Sequence, residues 1–502
     1  MTVLVVGGGI TGLTAAYTLG RSGIPTMLVE ASDRLGGKVR TESIDGFLVE
    51  SGPDSFISYR PAALELAREL GLADAIIRTT DPRTVYIRSR GRFGRLPEGM
   101  GLVLPTRMRP FVTSGLFSPR EKLRMGLDVL LPRDGLKCDV AVGTFLRRRL
   151  GDALVERLAG PLIGGVYGTP IDELSLLAVV PQLRDAELEH RSLLMASLVS
   201  GRARTAGEGG SPFATLAGGT GQFTEALVDA LDRSTAVHVR TLSPAIGLER
   251  RSGGFDVRLA SGEVLRPEVV ILAAPGPVTA GLLEDVAPAA ASPIRAIPHG
   301  STAVVSFGYR LDQFPEPPVG HGFLVATGEP LSIEACTFSS LKWAGRAPDG
   351  AILLRMFIGA RGERLLAGPD AAIVAAAQRD LALTMGVRGA PLLTRVARWP
   401  GQMPRYTVGH LDRVAAAFAA LARSPDLILA GAAYRGIGLP DCIAQGRAAA
   451  ARVGTVLSGV VNEPGARSRS SSANLVASAS AIAASGSSVA RTTRSSSSES
   501  ST

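Results

Sequence analysis

The chain has 502 residues, of which 45% are hydrophobic, and carries a formal net charge of +9; that length supports two or three domains around substantial cores. Cys138, Cys336 and Cys442 lie too far apart for a zinc site or a disulfide framework, which fits a reducing cytoplasm. Only 5% of the residues are aromatic and they do not interleave with the basic ones, which sets nucleic-acid binding aside.

Val3 to Val6 reads as a buried strand; without a basic leader and broken by three glycines, it is not a secretory signal. Gly7-Gly8-Gly9-Ile10-Thr11-Gly12 follows, then a helical run from Leu13, then a second apolar run, Thr26 to Val29, ending at Glu30-Ala31. This is a βαβ dinucleotide fingerprint. Gly7 permits the turn, Gly9 lets a pyrophosphate approach the backbone and the helix N-terminus, and Gly12 lets helix and strand pack closely. Glu30 stands where a carboxylate accepts from both ribose hydroxyls and repels a 2′-phosphate, which argues against NADP. Arg34-Leu35-Gly36-Gly37-Lys38 resembles the second glycine motif of the flavin amine oxidase superfamily and favours FAD over NAD.

Glu50-Ser51-Gly52-Pro53-Asp54-Ser55-Phe56 has turn chemistry, and Pro61 opens a helix with Leu64, Ala67 and Leu70 on one face. Val85 to Ile87 reads as strand. Between Arg78 and Arg124 eleven basic residues face three acids, the pattern of a solvated surface or of a mouth for an anionic substrate or an acidic membrane. Ser118-Pro119-Arg120-Glu121 is a capping box before a helix carrying Leu123, Leu127, Leu130 and Leu131. Helical runs Val140 to Leu150 and Asp152 to Ala159 make 110 to 200 a helical insertion, interrupted at Gly164-Gly165-Val166-Tyr167-Gly168, and 201 to 212 reads as a mobile loop.

Strands are expected at Val237–Val239, Ala245–Leu248, Phe255–Leu259, Val269–Ala273, Thr302–Phe307, Gly322–Val325, Leu331–Phe338 and Ala351–Ile358, and a helix at Asp370–Met385. Leu427 to Gly431 reads as a buried strand, 432 to 439 as a loop, and Pro440 as the start of a last helix. Beyond Pro464, fifteen serines and few bulky apolar residues predict disorder. No apolar run approaches the ~18 residues that span a bilayer, which leaves only peripheral membrane contact open.

Five patches, GGGITGLTAAY, ESGPDSF, LAGGTGQFTEAL, WPGQMPRYTVGH and AGAAYRGIGLPDCIAQG, together resemble the FAD-dependent protoporphyrinogen oxidases, including the Gram-positive coproporphyrinogen III oxidases. The resemblance runs from Met1 to about Gly459. It implies an α/β protein: a Rossmann-like FAD-binding domain from 1–75, 212–290 and 420–462, a β-rich substrate-binding domain from 76–100 and 291–419, and a helical domain from 101–211, with the serine-rich 464–502 outside. It implies non-covalent FAD touched by Gly7 to Gly12, Glu30, Ala31, Lys38, Gly52, Pro53, Asp54, Ser55, a backbone contact at Ala245, and Trp399, Ile437, Gly438 and Leu439. Arg83 falls where a family arginine pairs with a substrate propionate.

The implied reaction is a six-electron oxidation of coproporphyrinogen III, or alternatively of protoporphyrinogen IX, with O2 as acceptor and H2O2 as product. The flavin does the chemistry, so neither a catalytic side chain nor a metal is expected, and the scattered His190, His238, His299, His321 and His410 read as structural. A cytoplasmic location follows, with peripheral contact at the inner face of the membrane and contact with the next haem-pathway enzyme left open. A flavin amine oxidase, a desaturase and a non-catalytic flavin-binding scaffold share the first motif and are the other readings.

Overall fold

A computed structural model describes residues 2–101, 103–133, 138–204 and 211–458; the serine-rich tail lies outside these. Val3–Val6 is apolar throughout and buried on both faces, as a central parallel strand must be. It pairs in parallel with Thr26–Val29 on one side and Val269–Leu272 on the other, Val5 standing opposite Leu28 and Ile271. Val237–Arg240 and Leu427–Leu429 add the two edges, all parallel. The five strands are drawn from three separated stretches of the chain, 3–29, 237–272 and 427–429. Leu4, Val6, Val270 and Leu272 join one apolar core with Phe255, Val257 and Ile294, while the helix Ile10–Arg21 covers the other face beside Gly221–Asp232.

A seven-stranded sheet forms the β-rich part, in the order Leu393–Pro404, His299–Arg310, Ala351–Ile358, Ala335–Phe338, Gly322–Val325, Val85–Ser89, Arg92–Arg95. Only the Gly322–Val325 and Val85–Ser89 pair is parallel. The alternation of side chains splits the sheet into two faces. Val305, Phe307 and Met356 pack against Ile373, Ala377 and Leu381 of the helix Asp370–Met385. Thr302 opposite Trp399, and Ser306 opposite Arg355, belong to the other face, which meets the 50–55 turn.

The helical insertion packs Phe145, Leu146, Leu158 and Leu174 into its own core. Inside it Asp128 and Arg149 form a buried pair at 2.6 Å, and Asp128 also accepts from Ser192 Oγ at 2.6 Å. These layers form one compact unit, Met1–Gly454. No helix among the described residues is long and apolar enough to cross a membrane.

Several local expectations change. The run from Asp152 does not stop at Ala159: it continues as a wide, i→i+5 helix over Val155–Gly164, through Pro161, because such a turn relaxes the clash a proline makes in an α-helix. The helix Leu193–Arg204 takes in the first residues of the expected loop, whose 205–210 lie outside the described residues. Only Ala335–Phe338 of the 331–338 run is strand. The helix Ala62–Glu69 buries Ala67 as expected, but with Ala63 and Leu66 rather than Leu64 and Leu70. The Ser118 box forms as read, with Ser118 N–H donating to Glu121 at 2.8 Å and Glu121 N–H to Ser118 Oγ at 3.4 Å.

Candidate functional site

Gly7 has φ +109°, a backbone conformation that favours glycine, and a Cβ there would lie 2.9 Å from the Ala273 backbone. A Cβ on Gly12 would run into the Gly7 carbonyl oxygen. Gly9 differs from both: nothing lies within 4 Å of where its Cβ would stand. The Ile10–Arg21 helix begins there with no side chain capping it, so its first-turn amides face an open space beside Gly9.

The second glycine motif folds back on the first. Gly36 N–H donates to Gly8 O at 2.8 Å, and Gly37 stands against Gly9. At one end, Glu30 Oε2 accepts from Gly8 N–H at 2.7 Å and Oε1 from Ser32 N–H and Oγ at 2.8 Å. A carboxylate has about four acceptor positions, so capacity is left for ribose hydroxyls. Ala31 is exposed beside it. Ser243 N–H bonds Glu30 O at 2.8 Å, which brings the start of the Ala245–Arg251 strand, and Ala245 with it, to this end.

At the other end the Leu439–Leu457 helix crosses the first helix. Gly446 allows it, since any Cβ there would strike the Thr11 carbonyl oxygen. The Thr11 hydroxyl meets the Cys442 thiol, which burial pushes up to about 11. The loop Ile437-Gly438-Leu439 therefore starts its helix beside Gly9 to Thr11, and two helix N-termini share one side of the open space. Tyr406 holds this loop: its OH donates to Ala432 O and accepts from Gly436 N–H, both at 2.8 Å, and its ring stacks on His410 at 3.7 Å.

Lys38 is the charged group of the cradle. Its Nζ donates to Gln402 O at 2.9 Å, and burial lowers its pKa. Among the described residues no carboxylate pairs with it, so it is a half-buried cation lacking an anion. His299 lies near it; burial lowers its pKa, its Nδ1 faces Ile297 O at 2.9 Å, and its buried Nε2 has no partner. An open glycine face, two helix N-termini and an unpaired, half-buried ammonium together fit a bound diphosphate, as the sequence fingerprint expects.

The 50–55 turn is pinned to the sheet. Trp399 Nε1 donates to Ser51 O at 3.0 Å and Arg355 to Gly52 O. Gly52 lies against the Lys38 carbonyl, and Pro53 O accepts from Thr220 Oγ1 at 2.8 Å. Asp54 turns its carboxylate to Lys342 (3.1 Å), Arg355 (3.5 Å) and Trp343 Nε1 (3.3 Å), and Ser55 Oγ bonds its other oxygen at 2.8 Å. Burial alone would raise the Asp54 pKa, but Lys342 and Arg355 hold it well below the usual carboxylate range. Its side chain is an anchor, and only the backbone of this residue is left for a cofactor. Arg355, Lys342 and Trp343 went unread in the sequence because they meet Asp54 across about three hundred residues.

Three parts of the molecule meet beside the closing loop. Gly168, at φ +55°, stands against Thr302, whose strand partner is Trp399. Tyr167 lies 5.8 Å from Tyr406, with its pKa raised to about 12 by burial. The glycine break thus approaches the cradle. Arg83 is not part of this group: it is exposed ahead of the Val85–Ser89 strand and paired with Asp81 at 3.2 Å.

The family model described as flavin containing amine oxidoreductase matches residues 10–454. The chain is 44% identical to a coproporphyrinogen III oxidase of Propionibacterium freudenreichii subsp. freudenreichii, covering 90% of each chain. It is 35% identical to the one from Bacillus subtilis (89% of this chain, 96% of that one) and 32% identical to a protoporphyrinogen oxidase of Bos taurus (90% and 98%). A solved structure assigned as a protoporphyrinogen oxidase, from Exiguobacterium sp. 255-15, superposes with a TM-score of 0.80 at 33% identity, covering 91% of this chain and 99% of that one. The chain belongs to the flavin-containing amine oxidoreductases and, within them, to the porphyrinogen oxidases.

Proposed function

We propose that this chain oxidises coproporphyrinogen III to coproporphyrin III, with FAD held non-covalently in the cradle around Gly9 and O2 as the final acceptor. The observation that carries this reading is the similarity, over about nine-tenths of the chain, to coproporphyrinogen III oxidases. When bound, FAD supplies a hydride acceptor for a saturated bridge carbon and passes the electrons to O2, so that three rounds remove six hydrogens and release three H2O2.

The chain's own residues bind, orient and screen. Gly9 and the adjoining helix N-termini accept the diphosphate, Lys38 supplies a half-buried ammonium, and Glu30 takes the ribose hydroxyls, with the Ala245 backbone at the adenine end. Ile437 to Leu439 and Trp399 close the other end. The cation left on the tetrapyrrole loses a pyrrole N–H proton to water, so no protein base is required. His299 and His410 fit this: their rings face the carbonyls of Ile297 and Tyr434, and burial holds both below the ordinary histidine range.

Coproporphyrinogen III has four propionates and protoporphyrinogen IX has two. The basic run between Arg78 and Arg124 uses four better. Arg83 would exchange Asp81 for a propionate, and an exposed ion pair is worth only ~0.2–1 kcal/mol, so the trade is cheap. The test is kcat/KM for both porphyrinogens at two salt concentrations. The expected result is a preference for the copro form that weakens with salt; a higher value for the proto form overturns the substrate, and Arg83→Ala leaving both unchanged overturns the arginine's role. Anaerobic bleaching of the bound flavin by an amine or a polyene, but by neither porphyrinogen, would move the chain to the amine oxidases or desaturases. FAD that stays attached after denaturation would overturn the non-covalent reading.

A further inference from the structure

The sheet face that meets the 50–55 turn ends in a carboxylate. Side chains alternate along Ala351–Ile358. Arg355 reaches the turn, and Phe357, on the same side, is partly exposed, whereas Met356 and Ile358 pack in the core under helix Asp370–Met385. Gly359 comes next on the turn side. It has no side chain, and the Glu334 carboxylate takes the place of one: a Cβ on Gly359 would lie 2.7 Å from Oε2 and 2.9 Å from Oε1. Glu334 N–H donates to Phe357 O at 2.8 Å, and Arg361 N–H donates to Oε1 at 3.1 Å, which fixes the side chain there.

This carboxylate stands in one row with Trp399. Ala303 pairs with Ile358, which sets Thr302 beside Gly359, and Trp399 is the partner of Thr302 on the next strand. Two strand spacings, about 10 Å, therefore separate Trp399 from the carboxylate. The helical insertion borders the row: Gly168 stands against Thr302, and Thr327 N–H bonds Glu156 O at 2.8 Å. The carboxylate is only half used. Oε1 accepts one bond and, among the described residues, Oε2 accepts none. Burial raises its pKa against the opposing charges of Arg361 and Arg405. Among the described residues neither guanidinium forms an ion pair with it: Arg361 donates to Val325 O and Ala326 O, and Arg405 faces Glu363 at 3.8 Å.

We infer that Glu334 is a further substrate-binding residue, whose carboxylate accepts pyrrole N–H groups of the porphyrinogen and positions the ring between itself and Trp399. The inference rests on the porphyrinogen reading above. A porphyrinogen turns four N–H donors and no acceptor into its ring, a set that a carboxylate with open acceptor positions matches. The oxidised porphyrin keeps two N–H groups and presents two bare nitrogens, so the same carboxylate holds product less well than substrate and favours release. A propionate does not suit this place, because two carboxylates would face each other. Glu334 accepts these bonds without taking the proton, which leaves to water.

The test is Glu334→Gln in the holoenzyme, which keeps an oxygen for Arg361 N–H and turns a donor toward the ring. Anaerobic bleaching of the flavin against porphyrinogen concentration gives substrate affinity and limiting rate, and quenching of coproporphyrin III fluorescence gives product affinity. The variant should bind coproporphyrinogen III about tenfold or more weakly. Protoporphyrinogen IX should weaken alike, because both rings carry the same pyrrole N–H groups. The limiting rate should stay near wild type, and product should bind as well as before or more tightly. If the thermal midpoint falls, the ratio of substrate to product affinity decides, because a loosened fold weakens both. Equal weakening of both, unchanged substrate affinity, or a slower limiting rate at unchanged affinity overturns the inference. So does tighter binding of coproporphyrinogen III alone, which would put a propionate at this place. Wild-type flavin that neither porphyrinogen bleaches overturns the proposed reaction, and this inference with it; the other adverse outcomes leave that reaction standing.

Discussion

Thr220 reaches both oxygens of Glu50: its amide donates to one at 2.7 Å, and its hydroxyl, whose one proton is shared with Pro53 O, lies 3.0 Å from the other, at a point where both residues are buried. Thr41 Oγ1 adds a third bond to Glu50 at 2.8 Å and itself accepts from Gly221 N–H at 2.8 Å. This carboxylate joins the 50–55 turn to the start of the Gly221–Asp232 helix. Glu50→Ala leaves several buried donors without an acceptor and should cost about 2–4 kcal/mol, whereas Thr220→Val, which keeps the amide bond, should cost about 1–2 kcal/mol. Denaturant unfolding of the two variants measures both values.

Gly9 and Gly12 should fail in different ways. A Cβ on Gly9 meets nothing within 4 Å, and the Gly9 backbone is not in the left-handed region. The apo chain should keep its thermal midpoint while FAD affinity falls below detection, because the added side chain fills the diphosphate's space. Gly12→Ala collides with the Gly7 carbonyl and should lower apo stability by about 1–3 kcal/mol. Thermal unfolding beside FAD titration separates the two; Gly9→Val with normal affinity would place the cofactor elsewhere.

Lys38→Met should act with opposite signs on the two forms. Without an anion the half-buried ammonium is a cost, so the apo variant should gain stability. With FAD bound the ammonium is an asset, so affinity should fall about tenfold or more. Apo stability and the FAD dissociation constant are the two measurements.

His410 sets a pH dependence. It is fully buried, and burial lowers its pKa from 6.5 to about 4. Below pH 6.5 the unfolded chain takes up a proton that the folded ring refuses, so this stability is complete above 6.5 and is lost as pH falls toward 4. The loss from this ring reaches up to about 3 kcal/mol. Unfolding free energies from pH 4 to 8 should fall less steeply on the acid side in His410→Phe, which keeps the stack on Tyr406. Equal slopes in the two proteins would assign the acid sensitivity to other groups.

What the sequence determined by itself was local. The glycine fingerprint is readable because the need for a missing Cβ at Gly7 and Gly12 is set within one strand–turn–helix unit, and Ser118 and Glu121 cap each other across a single turn. Buried parallel strands announce themselves by being apolar on both faces, so Val3–Val6, Val269–Leu272 and Leu427–Leu429 could be placed before their neighbours were known. Tertiary structure alone decided which side of each element faces what. Leu123, Leu127 and Leu130 have the spacing of a core stripe and face water, because Met125 and Asp128 take the inner side. Asp54 sits in a cofactor motif yet spends its carboxylate on Lys342 and Arg355, and Cys442 finds Thr11 only because Gly446 lets the last helix touch the first. Such pairings depend on contacts between residues far apart in the chain, and neither periodicity nor turn chemistry encodes them.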